Sequence, residues 1–501
     1  MVHAVTPAAG LSLRSIVWSL AEQLNVVARG PAELVTALER DRRRTVIVLP
    51  DLHEGDGAGL VLALVGLPHV RLIVESRSGG CVHQRLSGGG CAELDLDLGQ
   101  WRDEERFAQW SAARAADRAA SSQGEPPSGH GVVDLSDPAA VCAADPWQVT
   151  DAYGEDGCGD HGGLRAAWLR AGQSLCRDQS PTSRALVLLS LLGDGADPRV
   201  RPALVELAAG AGWRMEWSRV RGDMAPSWPG PVTTLAVGRG PVSGCLLLAG
   251  ADGVVKTVHA ADASAHGRLR RREGGVADVV ALSDGTVLAL DGAGSIRADT
   301  TWAVRSAGSG LARLLDHGPT ESERLIEAVR SRTGTALAAA PGSGLGVVVL
   351  GNAAGAVETF GDVADTADLH DGPVTSVAAI SVPTGGESSV PLVYSGAADG
   401  TVRTWSPGHS PMPVPLVERP CPVVSLGAAV TQEGPSVVVA WGDGVVQYFQ
   451  MDLSEQRAFV PGPPVRAVAL DSAGRAFIGM DEAVICLVST SSFGTGGESM
   501  S

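Results

Sequence analysis

No lysine precedes Lys256, so no lysine ammonium is available in the first half of the chain to neutralise a bound phosphate. Aromatic residues make up only 4% of the 501 residues while glycines number 64, a balance that fits Ala/Val-rich strands joined by many tight turns. No run of 18 apolar residues occurs, and the N-terminus lacks the basic start, apolar stretch and cleavage site of an export signal. A soluble cytoplasmic protein without a transmembrane segment is therefore expected. Among the eight cysteines, Cys81, Cys91, Cys142, Cys158, Cys176, Cys245, Cys421 and Cys486, none forms a Cys-x-x-Cys pair. Cys81 and His83 with Cys91, and Cys158 and His161 with Cys142 or Cys176, make poor zinc sets, and free thiols in a reducing compartment are expected instead. Neither a Gly-x-Ser-x-Gly elbow nor a His-Glu-x-x-His helix is present. The net charge of −17 argues against a general nucleic-acid or anionic-membrane surface.

What is present is a repeat. Gly372 to Trp405 runs through a Gly-Pro-Val-Thr opening, two short apolar strands, a Gly-Ala-Ala-Asp-Gly turn and a third strand ending on an aromatic. Gly230 to His259 shares the opening and the Ala-Asp-Gly turn, and weaker copies lie at Gly275 to Arg297, Gly334 to Phe360, Pro420 to Phe449 and Gly462 to Val488. Three strands this close cannot bury themselves alone and need neighbouring copies. The turn glycines Gly355, Gly400 and Gly444 are spaced 45 and 44 residues apart, which fits a four-stranded propeller blade. Gly294 to Gly355 spans 61 residues, room for an insertion or a decayed seventh blade. Glu321 to Arg332 inside that gap reads as a helix, which favours the insertion.

The stretch from Gly396 to Trp405 resembles the end of a WD40-type repeat, with Trp405 in the tryptophan position; other copies end in His259, Phe360 or Phe449. The resemblance covers about residues 215–490 and implies a propeller whose loops hold protein partners. His370 and Asp371 before Gly372-Pro373 resemble the context in which such blades carry a histidine bonded within the blade, so a structural role is expected for His370. The loops Pro383 to Ser389 and Gly408 to Pro415 are candidates for exposed presentation, with 412–417 an irregular edge segment.

The N-terminal half has a different rhythm. Leu11 to Leu24 and Pro31 to Arg40 read as helices, and Arg42-Arg43-Arg44 leads into Thr45 to Leu49, an apolar strand of the kind buried in a parallel sheet. A helix from about Gly57 to Gly66 and a strand at Val70 to Val74 follow. Leu94 to Leu98 reads as one more strand, Glu104 to Ala120 as a helix, and 121–130 as a loop. Asp51, His53 and Glu54 lie beyond the end of the first long strand, where open α/β sheets bind ligands.

Residues 42–54 (RRRTVIVLPDLHE) look like the Walker B segment of signalling P-loop NTPases of the STAND/AAA-like type that carry WD40 repeats, as in actinobacterial proteins; 69–79 resembles their next strand. The resemblance covers about 110 residues. It implies Asp51 on a magnesium water, Glu54 polarising the attacking water and Ser76 or Arg77 as sensor. The departure is in the phosphate loop: residues 3–17 (HAVTPAAGLSLRSIV) keep Gly10 and Ser12 but no lysine, and Arg14 is two residues out of place. The alternative for Asp51 and Glu54 is to cap the helix beginning near Gly57.

Helices are expected at Leu164 to Leu175, Ser183 to Leu192 and Val200 to Ala209, and a strand at Trp213 to Val220 that closes the propeller by joining its last blade. The expected organisation is thus an incomplete, P-loop NTPase-like α/β domain (1–125), a helical linker domain (126–212), an all-β WD40-like propeller of six or seven blades (213–490) and a disordered tail (491–501). The expected function is a non-enzymatic scaffold or regulator binding protein partners, basic ones favoured by the acidic charge, with no cofactor or metal. The alternative is a signalling NTPase with a propeller sensor, holding nucleotide through Gly10, Ser12, Asp51, Glu54 and Arg77.

Overall fold

The structure is a computed structural model and describes residues 2–9, 11–52, 57–87, 92–96, 98, 105–106, 108, 133–156, 159–221, 223, 231–250, 252–271, 274–304, 321–342, 346–385, 388–450, 456–462 and 464–490. It divides into two units. The first comprises Met1–Leu24 and Gly30–Glu155, the second Asn25–Arg29 and Asp156–Ser501. The expected tail at 491–501, the loop at 121–130 and most of the helix at Glu104 to Ala120 lie outside the described residues.

In the first unit, strands β1 (Ala4–Val5), β2 (Thr45–Leu49) and β3 (Val70–Val74) form a parallel sheet with β2 in the middle. Because β2 is paired on both sides, its Ile47 and Leu49 are buried, whereas Ile73 on the edge strand β3 is 58% exposed. Helix α1 (Leu13–Gln23) begins where the Ser12 hydroxyl caps the Ser15 amide at 3.2 Å and buries Ile16, Val17 and Leu20 on one face. Helix α2 (Pro31–Arg40) starts on Pro31, which has no N–H to leave unsatisfied, and buries Leu34 and Leu38 one turn apart. Helices α3 (Gly57–Val65), α4 (Cys81–Ser87), α5 (Pro138–Ala143) and α6 (Pro146–Glu155) complete the described part of this unit. The strand expected at Leu94 to Leu98 is not formed: Leu94 and Leu96 lie in irregular backbone, 59% and 60% exposed. With alternate leucines open to water, no partner strand covers them among the described residues, and pattern alone does not make a strand.

In the second unit, helices α7 (Leu164–Ala171), α8 (Pro181–Leu191) and α9 (Val200–Leu207) precede strand β4 (Trp213–Val220), against which α8 packs. Six antiparallel sheets follow, each in chain order, and the ring has six blades. Blade 1 spans Val232–Arg268, blade 2 Asp278–Asp299, blade 3 Ala336–Asp368, blade 4 Val374–Glu418, blade 5 Val423–Phe459 and blade 6 Val465–Ser489. Among the described residues blade 2 has three strands, and helix α10 (Glu321–Arg330) lies between blades 2 and 3, so the long spacing there is an insertion and the count is six rather than seven. Strand β4 supplies the fourth strand of blade 6, pairing Trp217 with Cys486 and Val220 with Ala483. The ring is thereby closed by hydrogen bonds between a strand that precedes blade 1 and the last strand of the propeller, leaving no open edge at that seam.

The Gly-Pro-Val-Thr opening has a mechanical meaning. In blades 1, 4, 5 and 6 the first strand bulges immediately after the valine, between Val232 and Thr234, Val374 and Ser376, Val423 and Ser425, and Val465 and Ala467. The bulged threonine turns toward the next blade: Thr233 donates to the Val276 carbonyl at 3.0 Å and Thr375 to the Val423 carbonyl at 2.7 Å. Thr335 makes the same link to the Val374 carbonyl at 2.6 Å. The residue after it accepts an amide from the next blade, Ser376 from Leu426 at 2.8 Å and Ser425 from Val468 at 3.0 Å. Blade-to-blade packing uses the same registers. A Cβ on Gly396 would collide with Val423 of blade 5, while within blade 4 one on Gly400, held at φ +82°, would meet the Arg419 carbonyl that follows its edge strand. Within blade 6 the Trp217 ring lies tilted against Phe477 with centroids 6.0 Å apart, and across to blade 1 its indole N–H donates to the Ala260 carbonyl at 3.0 Å.

Candidate functional site

The expected phosphate-handling residues fall at the carboxyl ends of β1 and β2. Thr6 donates its amide to the Val48 carbonyl at 3.0 Å and Ala8 to the Pro50 carbonyl at 2.8 Å, which draws the 6–8 stretch alongside the strand end that carries Asp51. Glu75 donates to Leu49 and Leu52 to Glu75, placing the end of β3 beside the same corner. Asp51 has a left-handed backbone, φ 57°, at the turn. Arg77 is exposed and has no side-chain partner among the described residues. Gly10 and Glu54 lie outside the described residues.

At the start of α1 the donors have internal partners. Ala8 serves Pro50, and Leu11 donates to the Ala8 carbonyl at 3.2 Å. The Ser12 and Ser15 hydroxyls are 2.9 Å apart, and Ser15 donates to the Asp151 carboxylate of α6 at 2.9 Å. A helix start favours negative charge, and here a carboxylate of the chain itself is bonded into the first turn. The sequence marks Asp151 only as part of the start of the helical region and gives no link to Ser15, because no motif joins residues 136 positions apart.

The propeller assembles a Ser-His-Asp chain. His370 Nε2 lies 2.8 Å from the Ser395 hydroxyl, and Nδ1 lies 3.2 Å from Asp399 and 3.0 Å from the Thr401 hydroxyl. Since the Asp399 carboxylate only accepts, Nδ1 carries the proton and Nε2 accepts from Ser395. Burial pushes the His370 pKa below its usual value, against the pull of Asp399. Burial also pushes Asp399 up, but the Thr401 amide and hydroxyl and His370 outweigh it, and its pKa is lowered. The His370 side chain and Ser395 are both 0% exposed, so the hydroxyl has no open face toward a substrate. The group ties the loop before blade 4 to the second and third strands of that blade, as expected for His370.

Among the described residues Cys81, Cys142, Cys176, Cys245, Cys421 and Cys486 form no disulfide. Burial pushes the Cys421 thiol up to about 11 and raises Cys245 and Cys486, which keeps them protonated and poor nucleophiles at neutral pH. Among the described residues no group of three His, Cys, Asp or Glu side chains is placed to hold a metal ion. His83 is bonded to Glu93 and His161 to Asp156, each at 2.8 Å.

Two further features of the second unit escaped the motif search. Buried Gln173 clamps the backbone of the 25–29 segment, accepting from the Ala28 amide at 2.9 Å and donating to the Val26 carbonyl at 3.0 Å. Arg29 of that segment pairs with Asp481 at 3.1 Å. On the outside of blade 4, the stretch before the edge strand Val417–Glu418 is irregular, as expected, with Met412 and Val414 58% and 69% exposed. The other expected loop differs. Val374–Gly385 and Ser388–Ala397 pair almost to their tips, so Pro383 and Ser389 belong to a long hairpin. A proline survives there at a register irregularity between Pro383 and Gly385.

No family model and no curated protein matches the chain. Among solved structures, a crystal structure of the computationally designed Ika8 protein is similar to it at 18% identity and a TM-score of 0.30, covering 53% of this chain and 73% of that chain. At that score the likeness carries no argument, and the propeller rests on its own strand pairing. Among the described residues no helix is long and apolar enough to cross a membrane.

Proposed function

We propose that this protein is a non-enzymatic scaffold or regulator that holds protein partners on its propeller faces, acting in the cytoplasm. The observation that carries this reading is the closed six-blade ring, which protects its own sheet edges and leaves loops, such as that carrying Met412 and Val414, as contact surface. With a net charge of −17, basic partners are favoured. The first unit is then a degenerate relative of WD40-bearing signalling NTPases. Its parallel sheet retains an acidic residue beyond β2, but Lys256 is the chain's one lysine, and Ser12, Ser15 and Asp151 satisfy one another where phosphate would be gripped.

Two measurements test this. Calorimetry of the full chain with ATP and GTP plus magnesium should give no binding heat; a dissociation constant below about 100 μM would establish the alternative, a nucleotide-switched NTPase with a propeller sensor. Native pull-down should recover protein partners with the wild-type chain and lose them with Met412→Asp/Val414→Asp. Recovery of the same partners by both proteins would remove the blade 4 loop from the contact surface, and recovery of none by either would overturn the scaffold reading.

A further inference from the structure

The first strands of the blades enclose a lumen along the propeller, a cavity of about 590 Å3, the size of a small-molecule site. Leu235, Val237, Ile380 and Leu426 give its wall apolar surface. Two carboxylates face it, and both are engaged. Asp278 accepts from Thr234 at 2.9 Å, from the Val279 amide at 2.9 Å and from the Leu337 amide of blade 3 at 2.8 Å. Asp471 accepts from the amides of Ala473 and Arg475 and pairs with the Arg475 guanidinium at 2.8 Å.

Arg239 is treated differently. It lines the same lumen just past the end of the first strand of blade 1, and among the described residues no hydrogen bond or ion pair reaches its side chain. Arg239 is half-buried, and its unbonded guanidinium nitrogens keep contact with solvent at the lumen wall. Burial is the one influence on its pKa and pushes it down to about 10, so the guanidinium stays charged at neutral pH. Its backbone is held on both sides. A Cβ on Gly238 would strike the Val242 carbonyl, and Gly240 sits at φ +55° against the Ser283 carbonyl. A partly desolvated cation without a protein counter-charge gains from an anion that enters the lumen beside it.

We infer that the lumen binds a small organic anion, its carboxylate or phosphate held by Arg239 and its apolar body lying along Leu235, Val237, Ile380 and Leu426. Asp278, near the opposite end of the blade 1 strand beside Thr234, disfavours the reverse orientation by like-charge repulsion when it is ionised. This inference is independent of partner binding on the propeller faces.

Calorimetry with the full chain tests it, using octanoate and phenyl phosphate as anionic probes and octanol as the neutral control. At least one anion is expected to bind wild-type protein at one site with a dissociation constant below about 1 mM. Arg239→Gln should weaken that binding about tenfold or more, while Arg239→Lys keeps most of it and octanol is insensitive to both. Because the Arg239 side chain has no partner to lose, Arg239→Gln should melt at or above the wild-type temperature, so lost binding reports the site and not unfolding. Failure of both anions to bind the wild type, or equal binding to wild type and Arg239→Gln, overturns the inference.

Discussion

The start of α1 and the lumen of the propeller are both places where this chain has groups suited to an anion, and it has treated them in opposite ways. At α1 the amides of Ala8 and Leu11 and the hydroxyls of Ser12 and Ser15 are bonded internally, with Asp151 supplying negative charge from the same unit. In the lumen the carboxylates of Asp278 and Asp471 are bonded while the guanidinium of Arg239 is left open. A motif therefore points to where a family keeps its chemistry, whereas an unmet charge points to where this molecule still has an interaction to make.

The strongest way to break the comparison is to open the ring, since the lumen exists only while six blades close. Trp217→Ala removes a buried indole from the seam between β4 and blade 1 and leaves the Ala260 carbonyl only the longer 3.5 Å bond from Arg475. The expected loss is about 4 kcal/mol by denaturant unfolding, together with loss of probe binding in the lumen. Probe binding that survives in a protein destabilised that much would place the ligand elsewhere.

A smaller effect is expected inside blade 4. His370→Ala leaves Asp399 and Ser395 without their common partner, at a cost of about 2 kcal/mol. The pH dependence has a definite sign. Because the folded pKa of His370 lies below its unfolded value of about 6.5, the unfolded chain binds the proton first on acidification, and His370 stabilises the fold fully above that pH and progressively less below it. Asp278 acts the other way: burial raises its folded pKa to about 6, so its contribution is greatest at low pH and is lost as pH rises through 6. Wild type should therefore lose stability between pH 7 and 5 more steeply than His370→Ala; parallel curves would mean that His370 takes up its proton equally readily in the folded and unfolded chain.

The smallest change sharpens the other half of the comparison. Asp151→Ala frees the buried Ser15 hydroxyl from its carboxylate at a cost of about 1 kcal/mol to the first unit. Calorimetry with inorganic phosphate should remain flat, because the Ala8 and Leu11 amides still serve carbonyls and no lysine is near in sequence. A heat of binding that appears only in Asp151→Ala would show that one carboxylate had been holding a phosphate site shut.

Legibility followed repetition. Strand pairs around Gly400 and Gly444 were readable because the same turn glycine and the same Gly-Pro-Val recur, and β4 showed itself through alternating Trp213 and Trp217. The latch made by Thr375 and Ser376 was visible as a motif but not as a mechanism, since its partners, Val423 and Leu426, are about one blade further along the chain. Leu94 to Leu98 had the alternation of a strand without the neighbour that makes one.

Taken alone, the order of residues determined the local choices: where apolar runs become strands, where Ser12, Pro31 and Asp137 start helices, and where glycine permits the turns between strands. These depend on covalent geometry and near neighbours, which the chain carries with it wherever it goes. The number of blades, the burial of the Ser395-His370-Asp399 chain, the pairing of Ser15 with Asp151 and the isolation of Arg239 were decided only in three dimensions. Each depends on which distant groups reach one another once water has been excluded, and desolvation and pairing are properties of that assembled neighbourhood.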